Sequence, residues 1–277
     1  MATSSQQLPK PLTKLLVATD LDATLLDHQT YSYEAALLAI AQLKSHGCPI
    51  IFNSSKTRAE QALLREELGL IAPFIVENGS AVIIPPGQLQ ESTEQVKVFG
   101  PTYETLTSHI AQLREQKGYC FQGFADLDAD TLANLTGLTP SKAAAAKQRT
   151  GSEPLQWQDT EPAYEQFVAD LTALGLQTTQ GGRFRHVMAN SDKGQALTWL
   201  VSQYQAAYPD THWVVVALGD SPNDMPMLQT ADVGVRIPNP HRAPFEVSGV
   251  KRLLQPEGTG PAGWATAIAQ LIEEYML

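Results

Sequence analysis

The sequence predicts an α/β fold, a doubly wound parallel sheet interrupted by an inserted α+β module, and three observations carry that prediction. Short apolar runs alternate with helical patterns at both ends of the chain, the alternation lapses over residues 87–187, and 277 residues suffice for two such units.

Each element follows from its local pattern. Residues 15–19 (LLVAT) form a continuous apolar run of strand length, the signature of a strand covered on both faces. Ala36, Leu37, Ile40 and Leu43 then recur at helical spacing, with Ser32 placed to cap that helix and Gly47 to stop it. Residues 49–54 (PIIFNS) supply the next strand and complete a βαβ unit. Thr57 with Glu60 three residues on is a capping-box pattern, and its helix closes at Gly69 before a strand at 74–78 (FIVEN). Beyond Pro85 and Pro86 come helical segments at 103–116 and 131–148, a short strand at 154–158, and a hairpin joining LQTTQ to RFRHVMA through Gly181 and Gly182. The α/β rhythm resumes with a helix from Lys193, a strand at 213–219 (WVVVALG), a helix near Pro222 and a last helix at 264–275. The chain therefore divides into a flexible N-terminus at 1–13, a core at 14–86 and 188–277, and an inserted module at 87–187.

Composition narrows the function classes. With 43% hydrophobic and 17% charged residues the chain is too apolar to be disordered. The 29 acidic against 19 basic side chains, with no Lys/Arg cluster, argue against a nucleic-acid partner. Two cysteines, Cys48 and Cys120, are too few for a disulfide framework or a four-ligand zinc site, which points to a reducing compartment. The first 13 residues hold no apolar signal core and no later run is long enough to span a bilayer, so a cytoplasmic protein without membrane contact is expected.

The chemistry concentrates at predicted strand ends. In D-L-D-A-T-L-L-D, Asp20 and Asp22 stand at the carboxyl end of the first strand, where open parallel sheets bind ligands. In G-D-S-P-N-D, Asp220 takes the same place after the strand at 213–219, and Asp224 follows within one helical turn. Four carboxylates converging on one edge repel unless a cation joins them, and a hard divalent ion such as Mg²⁺ suits an all-oxygen site. Ser54, beside Ser55, brings a hydroxyl and backbone amides to the same edge, and Lys193 in N-S-D-K-G brings a positive charge. Alone, a strand-end Ser or a helix-start Lys is usually a cap or a solvated charge; the order of the four elements along the chain is what carries specificity. The segment G-T-G-P-A-G at 258–263 mimics a dinucleotide-binding loop, but no strand precedes it and Pro261 interrupts it.

This ordered set resembles the haloacid dehalogenase phosphatase superfamily. The stretches LLDHQTYS, NSSKTRAE, ENGS, SEPLQW, GGRFRHVM, DKGQAL and GDSPNDMPML resemble the mannosyl-3-phosphoglycerate phosphatase family over roughly residues 14–277. The resemblance implies a Rossmann-like core with a substrate-selecting cap. It makes Asp20 the nucleophile, Asp22 the general acid and then base, Thr24 and Ser54 the holders of phosphate oxygens, and Lys193 the neutralising cation. Its Mg²⁺ ligands would be the Asp20 carboxylate, the Asp22 carbonyl and Asp220, with Asp224 binding directly or orienting a water. Substrate recognition would fall to Arg149, Ser152, Glu153, Arg183 and His186 in the cap, to Glu77, Asn78 and Gly79 at the junction, and to Ser55 and Asn223. One departure stands out: members usually carry Gly where this chain has Ala23, and a positive φ there would strain an alanine. The implied activity is Mg²⁺-dependent hydrolysis of mannosyl-3-phosphoglycerate to mannosylglycerate and phosphate through an aspartyl-phosphate, a step of compatible-solute synthesis. The same chemistry on glucosyl-3-phosphoglycerate or other sugar phosphates stays open. A phospho-accepting signalling module would share the acidic edge but needs neither the insert nor Asp22, and a weakened binding protein is motivated by Ala23 alone.

Overall fold

Strand β1 (Leu12–Thr19) is the apolar run that opens the chain, and in a computed structural model describing residues 12–180, 183–243 and 245–276 it lies inside a five-stranded parallel sheet. The other strands of that sheet are β2 (Ile50–Phe52), β10 (Thr211–Gly219), β11 (Val233–Arg236) and β12 (Leu253–Leu254), in the order β12-β11-β10-β1-β2. Alternate residues of β1 serve opposite faces: Leu15 and Val17 enter one core, Leu16 and Ala18 the other. Strand β10 repeats the pattern, with Val214, Val216 and Leu218 on one side and Trp213, Val215 and Ala217 on the other. A strand buried on both faces has no polar face to show, which is why these runs read as continuous rather than alternating.

Helices cover both faces. On one side α1 (Leu37–Ser45) packs with α9 (Gly260–Met276), which buries Trp264, Ile268, Leu271 and Ile272. On the other, α7 (Lys193–Ala207) and α8 (Met225–Thr230) pack together and bury Leu197, Leu200 and Leu228. Helix α2 (Arg58–Glu67) starts at the expected capping box, Thr57 with Glu60. No helix among the described residues is long and apolar enough to cross a membrane.

A three-stranded antiparallel sheet, β3 (Phe74–Val76), β4 (Ala81–Ile84) and β5 (Gln95–Val98), follows and is tied to the edge of the main sheet by a bridge between Asn53 and Ile75. The cap-like part is a four-stranded antiparallel sheet, β6 (Phe121–Gly123), β7 (Ser152–Trp157), β8 (Leu176–Gln180) and β9 (Arg185–Ala189), in the order β6-β7-β9-β8. Helices α3 (Tyr103–Lys117) and α6 (Glu161–Ala173) pack on it around Phe167, Leu106 and Leu171. The small pair α4 (Ala129–Thr136) and α5 (Pro140–Ala146) has its own core, and α5 rests on α2.

The expected boundaries shift for identifiable reasons. Leu12 and Thr13 already pair with Thr211 and His212, so the strand takes two residues given to the N-terminus; residues 1–11 of that segment lie outside the described residues, as does the Gly181–Gly182 turn. Residues 95–98 pair with β4 on the core side rather than joining the second sheet. The helix expected over 131–148 is broken at Gly137 (φ +77), which ends α4, and restarts with Thr139 capping and Pro140 at the first turn of α5. Strand β3 stops at Val76 because Glu77 and Asn78 both take positive φ, 53° and 57°.

Candidate active site

Three carboxylates meet where β1 and β10 end. Asp20 follows β1, Asp220 follows β10, and Asp224 closes the short turn before α8; one carboxylate oxygen from each lies within 4.8 Å of the others, and all three residues are buried. Lys193, the first residue of α7 and also buried, sends its ammonium between Asp20 Oδ1 at 2.7 Å and Asp224 Oδ1 at 2.6 Å. Parallel strands place their carboxyl ends on one edge, so residues nearly two hundred positions apart converge without any local sequence relation.

The charges do not balance. Three carboxyl groups face one ammonium in a desolvated site, so burial raises the Asp20 pKa, Lys193 opposes it, and Asp224, Asp220 and Asp22 add to it. Burial and Asp224 raise Asp220 in the same direction, against the donors Asn239 and Thr24. Such a buried acidic triad can hold a metal ion.

Asp224 differs from its partners in being fully engaged: Oδ1 takes Lys193, while Oδ2 accepts from the Asp220 and Ser221 amides and the Ser221 hydroxyl, all at 3.0 Å. Asp220 accepts from Thr24 Oγ1 at 3.1 Å and from Asn239 Nδ2 at 2.6 Å. Sequence reasoning missed Asn239; its only signal is its place in P-N-P just after the last long strand of the core. Asn53, also missed, donates to the Lys193 carbonyl at 3.0 Å and fixes the start of α7 beside β2.

Asp22 stands apart from the triad. Its side chain is 42% exposed and pairs through Oδ2 with Lys56 at 2.9 Å, while Oδ1 is buried without a hydrogen-bond partner. The pair is only partly exposed, and against the cost of burial Asp22 raises the Lys56 pKa. Ser54 is buried behind β2, with its hydroxyl accepting from the Lys56 amide at 3.3 Å, and Ser55 is half-buried next to it. Asn223 donates to Asn78 Oδ1 at 3.1 Å and so ties the acidic loop to the 77–79 turn. Gly79 (φ +96) lies against the backbone of Asp192 and Lys193, where any Cβ would collide with the Asp192 carbonyl. It is a packing requirement for Lys193.

The residues expected to read substrate are otherwise engaged. Glu77 is buried and accepts from the amides of Thr150, Gly151 and Ser152 at 2.7, 3.2 and 3.0 Å and from the Ser152 hydroxyl at 2.9 Å. Arg149 lies 3.6 Å from it and spends its donors on Ser152 and the Ala146 carbonyl. Together they form a clasp between the core and the inserted part. Glu153, buried, accepts from the Tyr103 hydroxyl and the Ala125 amide, and burial raises its pKa. Arg183 donates to the Leu135 and Thr136 carbonyls and caps the end of α4. Burial, with Arg149 nearby, pushes His186 down to about 3, so its ring is neutral near pH 7.

A model of the haloacid dehalogenase-like hydrolases matches residues 17–246. The chain belongs to that family. A glucosyl-3-phosphoglycerate/mannosyl-3-phosphoglycerate phosphatase of Methanococcoides burtonii is 38% identical to this hydrolase, covering 94% of this chain and 97% of that protein. A protein of the same name from Persephonella marina is 32% identical, covering 94% and 98%. A solved structure from Thermoplasma acidophilum shares the fold, with a TM-score of 0.65 at 17% identity over 96% of this chain and 99% of that one. This hydrolase is a phosphoric monoester hydrolase.

Two outcomes follow from this geometry. Replacing Glu77→Ala strands Arg149 and several buried donors, and a loss of about 3–5 kcal/mol is expected in denaturant unfolding. Ala23 has φ 60°, a left-handed value, and is buried. The strain of about 1–2 kcal/mol is offset by the stiffer unfolded chain of alanine, so Ala23→Gly is expected to stabilise by no more than about 1 kcal/mol in the same measurement.

Proposed function

We propose that this chain is a Mg²⁺-dependent phosphatase of mannosyl-3-phosphoglycerate, releasing mannosylglycerate and phosphate. The observation that carries it is Lys193 bridging Asp20 and Asp224 beside Asp220 at the strand ends. The curated relatives bear both sugars in their names, which favours glucosyl-3-phosphoglycerate as a second substrate.

In this reading Asp20 is the nucleophile. Lys193 engages Oδ1, so Oδ2 attacks phosphorus in line with the ester oxygen, the bond from phosphorus to that oxygen breaks, and an aspartyl-phosphate forms. Asp22, at the mouth and paired with Lys56 in the free protein, takes up a proton from solvent as that pair opens and gives it to the departing glycerate oxygen. It then takes a proton from the water that attacks the aspartyl-phosphate, which frees phosphate and restores Asp20. Thr24 and Ser54 hold non-bridging oxygens, and Lys193 offsets charge on both the phosphoryl group and Asp20.

The donor set fits a hard divalent ion: every candidate ligand is oxygen, and three carboxyl groups face a single ammonium. Asp20, Asp220 and the Asp22 carbonyl would hold Mg²⁺, each carboxylate keeping lone pairs beyond its present donors, while Asp224 supports Lys193 and the Asp220 backbone. When bound, the ion supplies charge neutralisation for the phosphoryl group.

Phosphate release from a panel of phosphomonoesters is expected to vanish with EDTA and in Asp20→Asn, and to fall sharply in Asp22→Asn with Mg²⁺ affinity kept; activity surviving EDTA would defeat the reading. Because the Asp20 pKa is raised in the metal-free site, Mg²⁺ binding near pH 7 should expel a proton. Calorimetric titration in two buffers of different ionisation enthalpy then gives different apparent enthalpies, and identical enthalpies would contradict it.

A further inference from the structure

We infer that Lys56 is the cation that reads the substrate carboxylate, exchanging Asp22 for it on binding, an inference that rests on the glycosyl-phosphoglycerate reading above. The two arginines that the resemblance set aside for substrate, and the neutralising Lys193, are committed elsewhere. Lys193 sits within the carboxylate cluster, Arg149 in the Glu77 clasp and Arg183 on the carbonyls at the end of α4.

Lys56 has both the position and the freedom. It follows Ser54 and Ser55 at the catalytic edge, and its backbone is pinned on two sides. The carbonyl accepts from the Glu77 amide at 3.1 Å and from Gln61 Nε2 at 3.2 Å, and the amide donates to Ser54 Oγ. A fixed stem thus carries a side chain that is 22% exposed, with its ammonium 2.9 Å from Asp22 Oδ2 and 5.8 Å from the Tyr31 ring. An ammonium has three donors, and among the described residues Asp22 is the one carboxylate in direct contact with this one, with Glu60 acting from further off. In a 3-phosphoglycerate the ester oxygen that Asp22 protonates is separated from the carboxylate by two carbon atoms. A cation touching Asp22 therefore lies within reach of that carboxylate whenever the ester oxygen faces Asp22. Exchange of one carboxylate for another keeps the ammonium neutralised and leaves Asp22 Oδ2 facing the ester oxygen.

The test compares glucosyl-3-phosphoglycerate with glucosylglycerol 3-phosphate, which differs only in carrying a hydroxymethyl group in place of the carboxylate. Losing a charge-assisted hydrogen bond in Lys56→Met should raise the ratio of their KM values by about tenfold to a hundredfold. Lys56→Arg should restore most of the discrimination. An unchanged KM ratio in Lys56→Met, with both substrates turned over, would overturn the role of Lys56 alone. A wild-type enzyme inert on both esters and on their mannosyl counterparts would overturn the glycosyl-phosphoglycerate reading and the inference with it.

Discussion

A fully buried ammonium between two buried carboxylates is the constraint on which the rest of the site depends. Lys193 has no water to solvate it, so its charge is tolerable only with Asp20 and Asp224 in direct contact. That requirement explains several features at once. Asn53 fixes the carbonyl of Lys193, Gly79 leaves room for the backbone before it, and Asp224 is held by the amides of Asp220 and Ser221 so that it cannot drift from the ammonium. With Asp220 added the cluster has more carboxylates than cations, so an acidic protein can take a phosphate ester here only if positive charge is assembled locally rather than inherited from composition.

The mouth is more open than this centre. Asp22 and Lys56 form a partly exposed pair two residues beyond the nucleophile, and the neighbouring Ala23 occupies a left-handed conformation usually left to glycine. The inserted part is not free to reorganise at its base, because Glu77 gathers three consecutive amides, a hydroxyl and an arginine from it. The clasp sets where the cap sheet sits, and the Asp22–Lys56 pair stands at the opening.

The sheet was legible in the sequence because strands buried on both faces must be apolar throughout, and Asp20 and Asp220 were legible because chemistry placed at strand ends needs no knowledge of loops. The division of labour among the acids was not. Whether Asp224 binds a cation or braces a loop depends on which amides fold back onto it, a three-dimensional fact that G-D-S-P-N-D does not encode by residue type. Arg149, Glu77 and Ser152 looked like a sugar-binding kit for the same reason: an arginine turned inward to a clasp and one turned outward to a ligand have the same letters around them. The helix expected over 131–148 ran through Gly137, whereas that glycine ends one helix and Thr139 and Pro140 behind it start another. Lys56 sat in plain view beside the strand-end serines, and only the closure of the 20–24 turn gave it a partner.

If Asp20 carries the phosphoryl group between substrate and water, the intermediate is covalent and can be caught. Rapid acid quench of the Asp22→Asn variant during turnover, followed by peptide mass analysis, should find one phosphoryl group on the peptide containing Asp20 and none elsewhere. A phosphoryl group on another residue, or phosphate release with no labelled peptide under conditions where the bond survives, would contradict the assignment.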